Sequence, residues 1–133
     1  MLHQADFLIL TNNPLVVKCL GNDYEIRFEK DYSYRDILIE ARDLVYKGHT
    51  LYTHPLSGSV KPNETPYRSV ALTEETGPLD LESLRLIEDA LVTFRKFRPR
   101  AGRGMDASPS MKEDFAEIDL RLIAGAISPH LDD

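Results

Sequence analysis

The stretch DFLILTNNPLVVKCLGNDYEIRF (6–28) decides how the chain is read. It opens on the apolar run DFLILT (6–11), stopped by Asn12, Asn13 and Pro14. A short apolar run closed by turn-forming residues reads as a buried strand. Pro14 suits the first position of a helix, where its missing N–H costs nothing, and Asn13 suits the N-cap before it. The helix is expected over about 14–20, ending near Gly21-Asn22. Residues 24–28 (YEIRF) then alternate apolar and charged, the pattern of a strand with one wetter face. Strand, helix and strand in this order imply a right-handed crossover and a parallel pair.

Working outward from that unit, Ser33 is placed to cap a second helix, with Asp36 three residues on completing a capping box. Ile37, Leu38, Ala41, Leu44 and Val45 share one face at the helical period. Gly48 ends this helix, just after Lys47, whose charge suits a helix C-terminus. TLYT (50–53) is read as a third strand and YRSVALT (67–73) as a fourth. After the turn Gly77-Pro78, Asp80 caps a helix over about 81–97 whose apolar face is Leu84, Ile87, Leu91 and Phe94. Residues 98–110 are rich in Pro, Gly and Arg and are read as a flexible basic linker. Ser110 is expected to cap a last helix over about 111–127, carrying Phe115, Ile118, Leu122 and Ile123. The order predicts one α/β domain over 1–133. It would be a three-layer sandwich around a small, mostly parallel four-stranded sheet, with the fourth strand a candidate antiparallel edge.

Composition narrows the class. At 133 residues the chain is long enough to bury a core without staples. Cys19 is the single cysteine, so no internal disulfide forms, which suits a reducing compartment. It lies in the apolar run LVVKCL (15–20) and is read as a small buried hydrophobe. The N-terminus lacks a basic region, its FLIL is too short for a signal peptide, and no run approaches the roughly 20 apolar residues of a membrane span. These features predict a cytoplasmic protein with no membrane partner. The formal net charge of −6 argues against general nucleic-acid binding. No feature of the sequence sets the oligomeric state.

The candidate site is the loop HPLSGSVKPNETP (54–66). Loops this long in compact domains are usually functional or disordered. Pro55, Pro62 and Pro66 fix their own φ and restrict His54, Lys61 and Thr65, which lowers the entropic cost of one shape. Leu56 and Val60 are available to pin the loop to the body. In an open α/β sheet, ligands bind beyond the carboxyl ends of the strands. The turn TNNP (11–14) leaves strand one at that end and the 54–66 loop leaves strand three. If the two strands run parallel as neighbours, Thr11, Asn12, Asn13, His54, Ser57, Ser59, Lys61, Asn63 and Glu64 converge. Ser57-Gly58-Ser59 with Lys61 could cradle an anion through a backbone nest, two hydroxyls and an ammonium. The alternative is an ordinary Ser-Gly turn beside a solvated lysine, since neither GxxxxGK[ST] nor GxGxxG occurs.

His54 is the candidate acid or base, against a purely structural role in holding the loop backbone. His49 is an odd number of residues away, so along a strand the two point to opposite faces and make no natural metal pair. No metal and no cofactor is expected. A hydrolase built on Ser57 or Ser59, His54 and Glu64 lacks the GxSxG elbow. The tract RKFRPRAGR (95–103) holds five positive charges and no acid. It could dock an acidic face, a phosphate-bearing ligand or a nucleic acid, or simply be a helix end running into a solvated linker.

TNNPLV (11–16) and GHTLYTHPLSGSVKPNETPYRSV (48–70) together resemble the GrdX family. LDLESLRLIEDAL (79–91) and DFAEIDLRLIAGAI (114–127) are similar to that family's helices. The family comprises small proteins associated with the glycine, sarcosine and betaine reductase systems of amino-acid-fermenting anaerobes. The resemblance implies a bacterial cytoplasmic accessory protein, with reductase-complex proteins as candidate partners. It brings no mechanism and no functional residues. Two functions follow as expectations: a non-enzymatic binding module using the 54–66 loop and the TNNP turn, or a small enzyme with His54 as acid/base and Lys61 or Asn13 stabilising an oxyanion.

Overall fold

The computed structural model describes residues 3–56, 61–97 and 106–128. Strand β1 (Phe7–Thr11) is buried along its whole length, as an apolar run with helices on both sides must be. Helix α1 (Pro14–Leu20) starts where Asn13 accepts a hydrogen bond from the Leu15 N–H and Pro14 takes the first helical turn. Strand β2 (Glu25–Phe28) returns parallel to β1, pairing Leu8 with Glu25 and Thr11 with Phe28. Helix α2 (Tyr34–Tyr46) begins in the expected capping box: the Asp36 N–H donates to Ser33 at 3.1 Å, and the Ser33 N–H donates to Asp36 at 3.0 Å. Strand β3 (Ser69–Thr73) follows, then α3 (Leu81–Phe94), capped by Asp80, and α4 (Pro109–Ile127).

The sheet differs from the expectation of four mostly parallel strands. It has three strands in the order β2-β1-β3, mixed, with β1 parallel to β2 and antiparallel to β3. The stretch 50–53 forms no full strand. It touches β3 through an isolated antiparallel bridge between Leu51 and Leu72, with the Tyr52 N–H donating to the Ala71 carbonyl at 2.8 Å. Its next outward donor, the Leu51 N–H, is taken by the Ser83 hydroxyl of α3 at 2.9 Å. On the β3 side the Thr50 N–H donates to Thr73 Oγ1 and the Ala71 N–H to Thr53 Oγ1, both at 2.9 Å, so side chains take the reciprocal ladder bonds and the ladder stops. β3, read as a candidate antiparallel edge, does run antiparallel.

Two cores lie on opposite faces of this sheet. Leu8, Leu10, Val70 and Leu72 face α2 and α3 through Ile37, Leu38, Ala41 and Ile87. Phe7, Ile9 and Ala71 face α1 and α4 through Val16, Ile123 and Ile127. The result is a three-layer α/β/α arrangement. Each fully buried aliphatic side chain in it contributes on the order of 1.5–3 kcal/mol.

Three further expectations need correction. The last helix starts earlier, at Pro109, because Ser108 rather than Ser110 is its cap: its hydroxyl accepts from the Met111 N–H at 3.3 Å. The helix therefore occupies the end of the expected 98–110 linker, while 98–105 lies outside the described residues. Helix α3 closes at Phe94 instead of 97, where the Lys96 and Phe97 N–H groups bond three residues back rather than four. Cys19 is exposed, not buried. In a helix this short the packed stripe is narrow, set by Val16 and Leu20, and Cys19 falls at its solvent side.

Candidate functional site

The carboxyl end of β1 leads into Thr11, Asn12 and Asn13, all buried, at 0%, 2% and 0% exposure. Because β3 is antiparallel, its amino end lies at the same rim: Thr11 pairs with Ser69. The 50–53 stretch is antiparallel to β3, so it runs with β1 and delivers His54 to this rim as well. The TNNP turn and the 54–66 loop do meet, through different strand geometry from the parallel neighbours first supposed.

Asn12 forms the junction. Its Nδ2 donates to the Tyr32 carbonyl and to the Pro66 carbonyl, both at 2.8 Å, and its Oδ1 accepts from the Arg68 N–H at 2.9 Å. One amide thereby ties the turn before α2, the end of the loop and the entry to β3. Arg68 ties the other end of the loop: its guanidinium donates to the His54 carbonyl at 2.7 Å. Thr65 and Pro66 are buried, and Leu56 packs against the α2/α3 core.

Behind this clamp lies a polar network. Asp119 of α4 is 4% exposed. Its Oδ1 accepts from the Ser69 N–H at 3.0 Å, and its Oδ2 accepts from the Ser69 hydroxyl at 2.7 Å and from Asn13 Nδ2 at 3.0 Å. Asn13 Nδ2 also donates to the Ala116 carbonyl at 2.9 Å. Thr11 Oγ1 accepts from the Asn13 N–H at 2.9 Å and lies 2.6 Å from Ser69 Oγ. With Ser69 donating to Asp119, the proton of the Thr11–Ser69 bond belongs to Thr11, so the chain of donors ends on the carboxylate. Burial pushes the Asp119 carboxyl above its ordinary value, opposed by hydrogen bonds from Ser69 and Asn13 and by the charge of Arg68.

Arg68 is 7% exposed. Its guanidinium carbon lies 5.9 Å from the centroid of the Tyr34 ring, which stacks on Phe94 at 5.5 Å. Among the described residues its Nε is buried without a hydrogen-bond partner. Burial raises the Tyr34 hydroxyl pKa, with Arg68 opposing. Tyr34, Thr65, Tyr67, Arg68, Phe115, Ile118, Asp119 and Leu122 line a crevice of about 10 Å³, roughly the room of one water molecule.

The sequence-derived candidates fall into three groups. Asn12 and Asn13 are interior, with their side-chain amides engaged as described. His54 and Lys61 are exposed, and Asn63 and Glu64 half-buried, in a turn closed by the Glu64 N–H on the Lys61 carbonyl at 2.9 Å. The ring Nδ1 of His54 accepts from the Leu56 N–H at 3.0 Å, which puts the neutral ring's proton on Nε2. Ser57, Gly58 and Ser59 lie outside the described residues, as does Val60. Among the described residues no three His, Cys, Asp or Glu side chains gather as metal ligands, and no helix is long and apolar enough to cross a membrane.

Tyr34, Arg68, Ser69 and Asp119 were absent from the expected site. Asp119 did leave a trace: it sits four residues from both Phe115 and Ile123, a charge at an apolar-period position of α4.

The architecture defines a three-layer α/β protein whose turn after β1 and long loop before β3 are locked together over a buried Asn-Ser-Asp network. The chain belongs to the GrdX-like protein family, whose model matches residues 8–128. Comparison with curated proteins and with solved structures found no match.

Proposed function

We propose that this protein is a binding module, an accessory to the glycine, sarcosine and betaine reductase systems of the bacterial cytoplasm, and that its 54–66 loop engages a small anion or a partner chain. The observation that carries the reading is the double clamp on the loop, Asn12 on the Pro66 carbonyl and Arg68 on the His54 carbonyl. A clamp at both ends fixes where the loop leaves and rejoins the sheet, which lowers the ordering cost of recognition. The anion preference is supported by exposed Lys61 on the loop, with Arg68 acting from beneath through its hold on the His54 carbonyl. Binding is favoured over catalysis by the position of the hydroxyl joined to Asp119. Ser69 is 3% exposed and held between Thr11 and Asp119, out of reach of a substrate.

Thermal-shift measurements with inorganic phosphate, acetate and glycine at millimolar concentrations test this. A ligand at ten times its Kd stabilises by about 1.4 kcal/mol, a shift of several degrees. Lys61→Ala and Arg68→Lys are expected to reduce the shift, Arg68→Lys because a point charge cannot replace the fork. No shift with any of the three overturns the anion reading and leaves partner docking. For the alternative of an enzyme using His54, His54→Ala must abolish turnover without lowering the melting temperature.

A further inference from the structure

Strand β2 ends the sheet, and among the described residues nothing pairs with its outer side. The phase of its backbone follows from the Glu29 N–H donating to the Thr11 carbonyl at 3.0 Å. Residue 29 points its amide toward β1, so Glu25 and Arg27 do too. Tyr24, Ile26 and Phe28 therefore direct their N–H and C=O groups outward. Among the described residues the Tyr24 N–H alone of these is already used, by the Leu20 carbonyl at 3.0 Å. An edge carrying unpaired backbone groups is a template for another strand.

We propose that β2 is a self-association edge, and that its occupant is β2 of a second copy of this chain, antiparallel about a two-fold axis at Ile26. The argument is register. Outward residues must face outward residues, so the candidate two-fold registers place Ile26 opposite the partner's Ile26, Tyr24 or Phe28. Pairing Ile26 with the partner's Phe28 sets Arg27 against Arg27 and Glu25 against Glu29. Pairing Ile26 with the partner's Tyr24 sets Glu25 against Glu25, and Arg27 then meets only Asp23, which lies before β2 in the turn closed on the Leu20 carbonyl. Pairing Ile26 with Ile26 sets Glu25 against Arg27 twice, on the α2 face, with half-buried Ile26 on its own counterpart and Tyr24 against Phe28 on the α1 face. Charge complementarity selects this last register, since like charges directly opposite are destabilising. It forms four backbone hydrogen bonds: Ile26 with Ile26 in both directions, and the Phe28 N–H with the Tyr24 carbonyl twice. Arg27 already donates to Glu40 at 3.0 Å, which holds it on the α2 face where the partner's Glu25 arrives. The product is a continuous six-stranded sheet with isologous contacts.

Sedimentation velocity over a concentration series tests this on the full chain. The wild type is expected to show a reversible monomer–dimer equilibrium. Glu25→Lys should weaken it by about tenfold, because two attractive pairs become two repulsive ones. The double change Glu25→Lys with Arg27→Glu should restore it by exchanging the signs. Ile26→Pro removes an outward N–H and trims a half-buried side chain, leaves the β1–β2 ladder in place and should abolish the dimer, with Ile26→Val as the control that trims the side chain and keeps the N–H. Thermal melts on each variant confirm folding. A wild type that stays monomeric at several hundred micromolar overturns the proposal, as does a dimer indifferent to Glu25→Lys and Ile26→Pro.

Discussion

Asp119 accepts hydrogen bonds from both the backbone N–H and the hydroxyl of Ser69, at 3.0 and 2.7 Å, across 50 residues of chain. The pair fastens the last helix to the first residue of β3, and the Asn13 amide joins it from the other loop. The carboxylate is buried, so its charge costs desolvation that these donors only partly offset.

This gives the first prediction a definite sign. The folded state raises the Asp119 pKa, so it binds the proton more tightly than the unfolded chain. The associated stability is fully present below the unfolded carboxylate pKa, about 3.9, and is lost as pH rises through the folded value. Asp119→Asn cannot titrate. The melting temperature of the wild type minus that of Asp119→Asn is expected to fall as pH is raised from 4 toward neutrality. A difference that is flat or grows over this range contradicts the assigned direction.

Asn12 should be among the least replaceable polar residues. Asn12→Ala leaves the Tyr32 and Pro66 carbonyls and the Arg68 N–H without their partner. The expected loss is about 2–4 kcal/mol in chemical denaturation. Asn12→Asp has nearly the same shape yet turns an acceptor toward two carbonyls, so it should be at least as damaging as alanine.

Gly48 is required on two grounds. Its φ is 106°, and a Cβ there would collide with the Gly77 carbonyl oxygen, where the Gly77 N–H donates to the Gly48 carbonyl at 3.0 Å. Gly48→Ala combines a left-handed backbone penalty of about 1–2 kcal/mol with that collision. Denaturant unfolding should show a loss above about 2 kcal/mol.

Ser83 joins α3 to the 50–53 stretch. Its hydroxyl accepts from the Leu51 N–H at 2.9 Å and donates to Asp80 at 2.6 Å. Ser83→Ala is expected to cost about 1–3 kcal/mol and to speed amide exchange at Leu51 in particular. Unchanged protection at Leu51 would show that another group satisfies it.

The helices were legible because their signals are local. Asn13, Ser33 and Asp80 cap the helices they were expected to cap, and the apolar face of α2 is buried residue for residue. The choice between Ser108 and Ser110 as the cap of α4 turns on Pro109, which composition groups with the linker although proline suits a first turn. The sheet was less legible. TLYT has strand composition, but whether 50–53 pairs fully depends on the hydroxyls of Thr53 and Thr73, which take the reciprocal ladder bonds from Ala71 and Thr50. The meeting of the two loops was legible from connectivity. Its chemistry was not, because Arg68 and Asp119 enter from β3 and α4, and nothing near them in sequence announces a partner.

Asn13 donates to Asp119 across 106 residues. The first turn after β1 is therefore unfinished until α4 has been synthesised. A nascent chain can form α1 and α2 early, but the amide of Asn13 and the backbone of Ser69 wait for the final helix. Copies terminated before α4 would lack the closing partner of Asn13 and Ser69 and present an open seam to quality-control proteases.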